Sequence, residues 1–483
     1  MTVASSRVAN SSRVLDRPWP RHLSDALLLS LLALVVRLAL VLWAKGRFPP
    51  ADDGSFYHVV AQRIARGAGY TWLWPDGAVT YAAHYPVGYP ALLGAAYAGF
   101  GATPGVAMTL NAAIGTLAVF AGQRAVLRFG TRGQAFVAGL LLALHPGLVC
   151  YTPALMTEGV SAELLVVGAW LAVRVGTGTR LPLRLVLLGA CAGLMTLIRP
   201  QLLIMAPVLG FFAVASTNAG LAARSLRALG VTGLALAVCL PWTYRNCVRM
   251  DRCVFVSANG GWNLLIGSAP QASGSWIPIE GPTVPSECRS VFGEADKDRC
   301  FGRAGAANIR RHPLEFLALI PRKLSVTFDY FGAPGHYLHT SNWIEFDESR
   351  KVRLGVVETL FERLVLIAAI ARAARAGHVR RRARLLTALP TLLFSVLRAG
   401  FLGYLGFVLI AALSGKELLK RPLSALAAGL VLSIAATHAL FFGAGRYGFV
   451  CAGLLCLAAV AGPEPATWKS CWPGSRSGRA PAA

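Results

Sequence analysis

Two adjacent carboxylates, Asp52 and Asp53, directly follow a long apolar segment, which puts them where hydrocarbon gives way to water. A carboxylate there can take a proton from an attacking hydroxyl or amine, more readily if partial burial or a neighbouring like charge raises its pKa. Asp at a helix start is also a common N-cap, which would account for one member of the pair. Glu158, in YTPALMTEGVSAEL, opens another apolar segment, and Glu163 lies five residues deeper in it. A carboxylate inside a bilayer costs about 3 kcal/mol unless it is satisfied. Glu158 therefore marks either a working group or a helix-start charge favoured by the helix dipole. Arg199 with Pro200, Arg245 with Asn246 in PWTYRN, and Arg446 with Tyr447 each stand at the end of an apolar segment. A cation at that level can stabilise a departing anion or can simply anchor its helix by snorkelling.

The element that must position the acidic pair is the stretch from Pro49 to Pro90, PPADDGSFYHVVAQRIARGAGYTWLWPDGAVTYAAHYPVGYP. From Asp53, the residues Tyr57, Val60, Ala61 and Ile64 recur at three- and four-residue steps, which predicts a helix with one apolar side lying along a membrane surface. Gly67 and Gly69 end it. Asp53 with Tyr57 and Ala61, then Gly67, Gly69 and Tyr70, then Tyr85, Pro86, Gly88, Tyr89 and Pro90, occur in an order that resembles the first outer loop of polyprenyl-phosphate-dependent glycosyltransferases of the GT-C fold. That superfamily includes protein O-mannosyltransferases and the lipid A aminoarabinose transferase. The resemblance covers roughly residues 23–270. Beyond them it continues in hydropathy and at Arg446-Tyr447.

The resemblance implies an all-α integral membrane protein of GT-C type and an inverting transfer of a sugar from a polyprenyl-phosphate donor to a lipid, glycan or protein acceptor. It makes Asp53, by its spacing to Tyr57, the general base in preference to Asp52, and Glu158 an acidic residue near the phosphate. Tyr57, His84 and Tyr85 fall on the substrate side. Arg199, Arg245, Arg446 and Tyr447 become the candidate ligands of the donor phosphate, with at least one of the arginines in contact with it. A Gly-Trp-Asn turn within Asn259–Trp276 is a further similar piece. The pair here is Asp-Asp, whereas many relatives carry Asp-Glu. Some members use a divalent cation and others do not, so an ion held by Asp52, Asp53 and Glu158 stays open.

Of 483 residues, 55% are hydrophobic and 14% charged, which excludes an ordinary soluble domain. Lys plus Arg number 47 against 22 acidic residues, a net charge of +25. The clusters fall in short loops between apolar segments with no groove-reading motif, so they report membrane topology and head-group contact rather than nucleic acid. Residues 1–22 hold Arg7, Arg13, Arg17 and Arg21 against Asp16, so they form a basic cytoplasmic tail. The first segment is too long for a signal peptide and lacks a small-residue cleavage site.

The apolar run 86–101 decides the rest. If it crosses, the clusters at Arg124–Arg132, Arg174–Arg184 and Arg372–Arg384 lie outside. If it is re-entrant or interfacial, all three lie inside, as the positive-inside rule requires. The second reading gives about twelve spans: 23–44, 105–127, 133–150, 158–175, 181–199, 201–216, 226–246, 355–372, 385–398, 399–414, 423–443 and 447–462. The organisation is then an N-terminal transmembrane module 23–246 with a catalytic outer loop 45–104, an extracytoplasmic region 247–354, C-terminal helices 355–462 and a disordered cytoplasmic tail 463–483. Within the outer region, Arg310-Arg311-His312-Pro313 opens an apolar surface helix, Leu314 to Phe328. The charge bias puts the site on the extracytoplasmic side, and the resemblance implies that the membrane is a bacterial inner membrane.

Cys247, Cys253, Cys288 and Cys300 fall in the outer region, where an oxidising compartment permits bridges between neighbours, 247 with 253 and 288 with 300. Four free thiols are the alternative. No cysteine spacing fits a zinc site. Two other functions remain open, a polysaccharide polymerase or ligase and a lipid or solute transporter. The transporter would show related halves with charge at mid-bilayer.

Overall fold

The computed structural model describes residues 21–175, 180–213, 220–397 and 399–462. The basic tail expected at 1–22 and the disordered tail expected at 463–483 lie almost wholly outside them. The described chain is a helical bundle. Its membrane-facing surface carries many exposed leucines, and a small-residue interior of Ala and Gly lets helices approach closely.

Helix α1 (Arg21–Ala44) is followed by the surface helix α2 (Asp53–Ala65), a hairpin, α3 (Gly88–Phe100) and α4 (Pro104–Val126). The expected apolar side of α2 is seen, with Tyr57, Val60 and Ala61 buried. Gly67 and Gly69 follow the helix at φ +77° and +69°. The hairpin pairs β1 (Thr71–Leu73) with β2 (Val79–Tyr81) across Trp74-Pro75-Asp76-Gly77, an element with no periodic sequence signal.

With 13 residues, α3 is about 20 Å long, short of a hydrocarbon core of about 30 Å. Gly105 at the start of α4 lies against Lys45 at the end of α1, where an added Cβ would stand 3.4 Å from the lysine Cβ. The chain thus leaves and re-enters the bundle at one end, and the run 86–101 does not cross it.

The next helices are α5 (Arg132–Leu144), α6 (Pro146–Cys150), α7 (Thr157–Arg174), α8 (Leu181–Ile198), α9 (Met205–Phe212) and α10 (Leu221–Arg249). The span expected at 133–150 is divided at His145, because Pro146 cannot continue the ladder. The span expected at 201–216 begins as a 3-10 turn, Pro200–Ile204, before α9. At the end away from the acidic loop, Arg132 donates to Asp25 at 2.7 Å. Arg184 there bonds the Arg174 and Val175 carbonyls. Arg372 reaches the carbonyls of Ala461 and Gly462 at the same end. All three arginine clusters therefore gather at one end, as the re-entrant reading requires.

Glu163 belongs to the bundle interior, where it meets Arg37 at 3.3 Å. Arg37 also donates to the Leu142 and Ala143 carbonyls. The pair fits only because residue 115 is glycine, since a Cβ there would come within 2.3 Å of Arg37 Nε. Glu163 is thus an internal counter-charge to Arg37.

The region 250–347 is built from α11 (Gly260–Ser268), α12 (Glu294–Arg311), α13 (Pro313–Phe328) and α14 (Ala333–Ser341). Its α11 and α12 touch through Gly261, where a Cβ would collide with the Asp298 carbonyl. The expected surface helix is α13, and it exposes Leu314 and Leu317. The chain closes with α15 (Glu348–Arg375), α16 (Arg381–Val396), α17 (Gly400–Leu413), α18 (Pro422–Leu440), α19 (Gly445–Phe449) and α20 (Ala452–Val460). Helix is thus present within each of the twelve expected segments, and among the described residues five helices are individually long and apolar enough to cross a membrane.

Both neighbouring cysteine pairs are joined, Cys247 to Cys253 and Cys288 to Cys300. In unreduced, denatured protein these four should resist alkylation and become labelled after reduction. Full labelling without reductant would contradict the pairing.

Candidate functional site

At the end opposite the arginine clusters lies a cavity of about 560 Å³ lined by Asp53, Tyr57, His84, Tyr85, Glu158, Arg199, Arg446 and Tyr447 among others. Each wall has a local cause. Asp53 opens α2, so its side chain sits in the first helical turn while Tyr57, one turn on, is buried against Tyr85 and Tyr89.

The return loop carrying His84 and Tyr85 is fixed from three sides. Glu294 accepts from the Ala83 and His84 amides at 2.6 and 3.0 Å. Ala258 N donates to the Ala83 carbonyl at 2.7 Å. Arg245 donates to the Ala82 and Tyr70 carbonyls at 2.9 and 2.7 Å. Arg245 thus departs from the expectation of a phosphate ligand. It does not line the cavity, and its guanidinium holds the first loop in place over the Trp242 ring.

Asp53 is held from both sides. Tyr85 Oη donates to Oδ1 at 2.7 Å, and Arg446 Nη1 donates to Oδ2 at 2.9 Å. Arg446 also donates to Tyr337 and Tyr447, each at 3.0 Å, and its Nε lies 3.7 Å from Glu158 Oε1. The same Glu158 oxygen meets Arg199 Nη1 at 3.0 Å, and Arg199 donates to Thr157 Oγ1 at 2.9 Å. Asp53, Arg446, Glu158 and Arg199 therefore form one alternating chain of charge. The Tyr447 ring lies beneath both guanidinium groups, 4.9 and 5.2 Å from its centroid, with His438 stacked on it at 4.2 Å.

Burial pushes the Asp53 pKa up, but the Arg446 charge and the bonds from Tyr85 and Arg446 outweigh it, so the net shift is downward. The sequence leaves room for a carboxylate made more basic by burial. The structure instead holds it ionised, with a spare lone pair on each oxygen. Burial lowers the His84 pKa despite the nearby Asp53 charge, so that imidazole is neutral at pH 7.

Asp52 does not share the cavity. Its φ of +48° turns the side chain outward to His336 at 3.5 Å, and it makes no side-chain cap bond to α2. The simple N-cap role is therefore not what it performs. With Asp52 half exposed and outside the cavity, Asp52→Asn should change the rate of any reaction run in the cavity by no more than about threefold beside wild type.

The residues do not fit the divalent ion left open above. Among the described residues no three His, Cys, Asp or Glu side chains converge on a point that could hold one. Asp52 faces away, and the Arg446 guanidinium already stands between Asp53 and Glu158.

Sequence reasoning missed Tyr337, Glu294, Gln201 and His438. Tyr337 meets Arg446 across 109 residues and Glu294 meets the first loop across 210 or more, and no local spacing signals either.

No family model and no curated protein sequence matches the chain. In three dimensions it is similar to the oligosaccharyltransferase AglB of Archaeoglobus fulgidus in complex with an inhibitory peptide and a dolichol-phosphate, at 16% identity and a TM-score of 0.46, covering 91% of this chain and 50% of that one. It is likewise similar to ArnT of Cupriavidus metallidurans bound to undecaprenyl phosphate, at 16% identity and a TM-score of 0.39, covering 91% and 78%. The chain spans about half the length of the archaeal oligosaccharyltransferase structures it matches.

Proposed function

We propose that this chain is a GT-C type membrane glycosyltransferase that moves a sugar, with inversion, from a polyprenyl-phosphate donor to a lipid, glycan or protein acceptor. The observation that carries the reading is the placement of Asp53. It is an ionised carboxylate at the wall of a cavity, on the bundle end away from the arginine-rich turns, with two guanidinium groups on the same wall. By the positive-inside rule we read that end as the non-cytoplasmic one, which in this proposal is the outer face of a bacterial inner membrane.

The acceptor's hydroxyl or amine loses its proton to Asp53 as it attacks the anomeric carbon. The bond from that carbon to the phosphate oxygen breaks with its electron pair left on the phosphate. Arg199 and Arg446 meet the developing charge in a partly dry site, where a fixed cation acts strongly. Arg446 is shared between Asp53 and the leaving group. As phosphate charge grows, its hold on Asp53 is divided and the carboxylate becomes the stronger base it must be. Tyr85 and the pinned loop keep Asp53 in register.

Mass spectrometry of glycolipids and glycoproteins from cells with and without the gene tests the reading. A sugar-modified species should vanish without the gene while its prenyl-phosphate donor accumulates. An unchanged inventory of both contradicts the reading.

A further inference from the structure

A second depression, remote from Asp53, is a groove of about 660 Å³ between α1, α3 and α4 whose walls are almost wholly apolar. Helices α1 and α4 are two of those long and apolar enough to cross a membrane, and Leu42 and Phe100, which line the groove, are exposed. The groove therefore opens toward lipid.

Its depth is that of one leaflet. Helices α1 and α4 lie side by side, with Lys45 against Gly105 at the end of the acidic loop and Arg37 against Gly115 further in. Along α4 the lining runs from Thr103 to Ala113, about 15 Å, which is half of a hydrocarbon core of about 30 Å. Lys45 stands at the shallow end of the groove, and Leu38 and Ala113 stand at the deep end. Lys45 is also the one charged residue among the described residues that line it. Its exposed ammonium has no carboxylate partner among the described residues, whereas Arg47, two residues on, is paired with Glu345 at 3.1 Å.

We infer that this groove seats one acyl chain of an anionic phospholipid from the leaflet at the cavity end, with the lipid phosphate against the Lys45 ammonium. A zwitterionic lipid fills the groove equally well but brings its own cation to the lysine, so net negative charge is what Lys45 selects. The seated chain backs α3. On its other contacts α3 supports the helix that opens with Asp53, since Tyr97 Oη lies 2.6 Å from His58 Nδ1 and Gly94 lies against Ile64. The site stands apart from the transfer chemistry and does not depend on it.

The test equilibrates the full chain in mixed micelles holding equal amounts of phosphatidylglycerol and phosphatidylcholine with the same acyl chains, and counts the retained lipid by native mass spectrometry. Wild type should keep one lipid per chain and favour phosphatidylglycerol about fivefold, equivalent to about 1 kcal/mol. Lys45→Gln should still retain a lipid but lose the preference, and Lys45→Arg should keep it. Ala113→Trp, which fills the deep end, should cut retention of both lipids about fivefold or more. Lys45 and Ala113 are both exposed, so neither change disturbs the core. Equal retention of the two lipids by wild type overturns the site. So does a preference that survives Lys45→Gln, or an Ala113→Trp variant that holds as much lipid as wild type, which would leave Lys45 a plain snorkelling anchor.

Discussion

Transfer should fall by about 10²- to 10⁴-fold when Asp53 is replaced by Asn if the proposed general base is this carboxylate, the range that a positioned base contributes. The substitution keeps the shape of the side chain and removes its charge, its ability to take a proton and the oxygen that accepts from Arg446. Tyr85 can still donate to the amide oxygen, and Arg446 retains Tyr337, Tyr447 and Glu158. The variant should therefore insert, run as a single species and show the same protected cysteines as wild type. The measurement is the initial rate of product formation in reconstituted membranes, beside wild type. A loss of tenfold or less means that Asp53 anchors the start of α2 and does no chemistry.

The second large effect follows from Arg446→Gln, and it is read most clearly in a pH profile. With Arg446 in place the Asp53 pKa lies below its ordinary value, so the kcat/KM profile should stay flat on the acid side down to about pH 4. Without the guanidinium, burial is the largest remaining influence and raises the pKa, so the acid limb should move toward neutrality. The rate at neutral pH should fall about 10²-fold or more as well, because a cation facing the leaving phosphate is gone. Stability shifts in the matching sense. The lowered Asp53 pKa contributes stability that is present above the unfolded value of about 3.9 and is lost as pH falls through the folded value, and the variant lacks that contribution. An acid limb that does not move would show that Arg446 does not govern the carboxylate.

Much of the first loop is legible in the sequence because its signals are local. The three- and four-residue steps from Tyr57 to Ile64, the glycines at positive φ and the short run 86–101 each follow from neighbours in sequence. The charge bias that argued against a crossing at 86–101 is matched by Lys45 lying beside Gly105. Cysteine pairing was local too, at separations of 6 and 12 residues.

What the sequence could not show was how long-range contacts assign like residues to unlike tasks. Arg199, Arg245 and Arg446 read alike as arginines at helix ends, yet loop carbonyls take Arg245 while the other two face the cavity. Asp52 and Asp53 are adjacent, yet one backbone angle sends them to different surroundings. Glu163 and Glu158 share a helix five residues apart, and their partners come from α1 in one case and from α8 and α19 in the other. The helix break at His145 is signalled by Pro146, which the span expected at 133–150 runs through, whereas the break at Pro200 falls where the expected spans 181–199 and 201–216 already divide.

The most direct measurement incubates the purified chain, reconstituted in liposomes, with prenyl-phosphate sugars extracted from the producing cells and follows free prenyl phosphate by mass spectrometry. The account predicts that wild type releases prenyl phosphate in step with sugar transfer to co-extracted acceptors and that Asp53→Asn releases none above background. Release at equal rates from both proteins, or from neither, would contradict it.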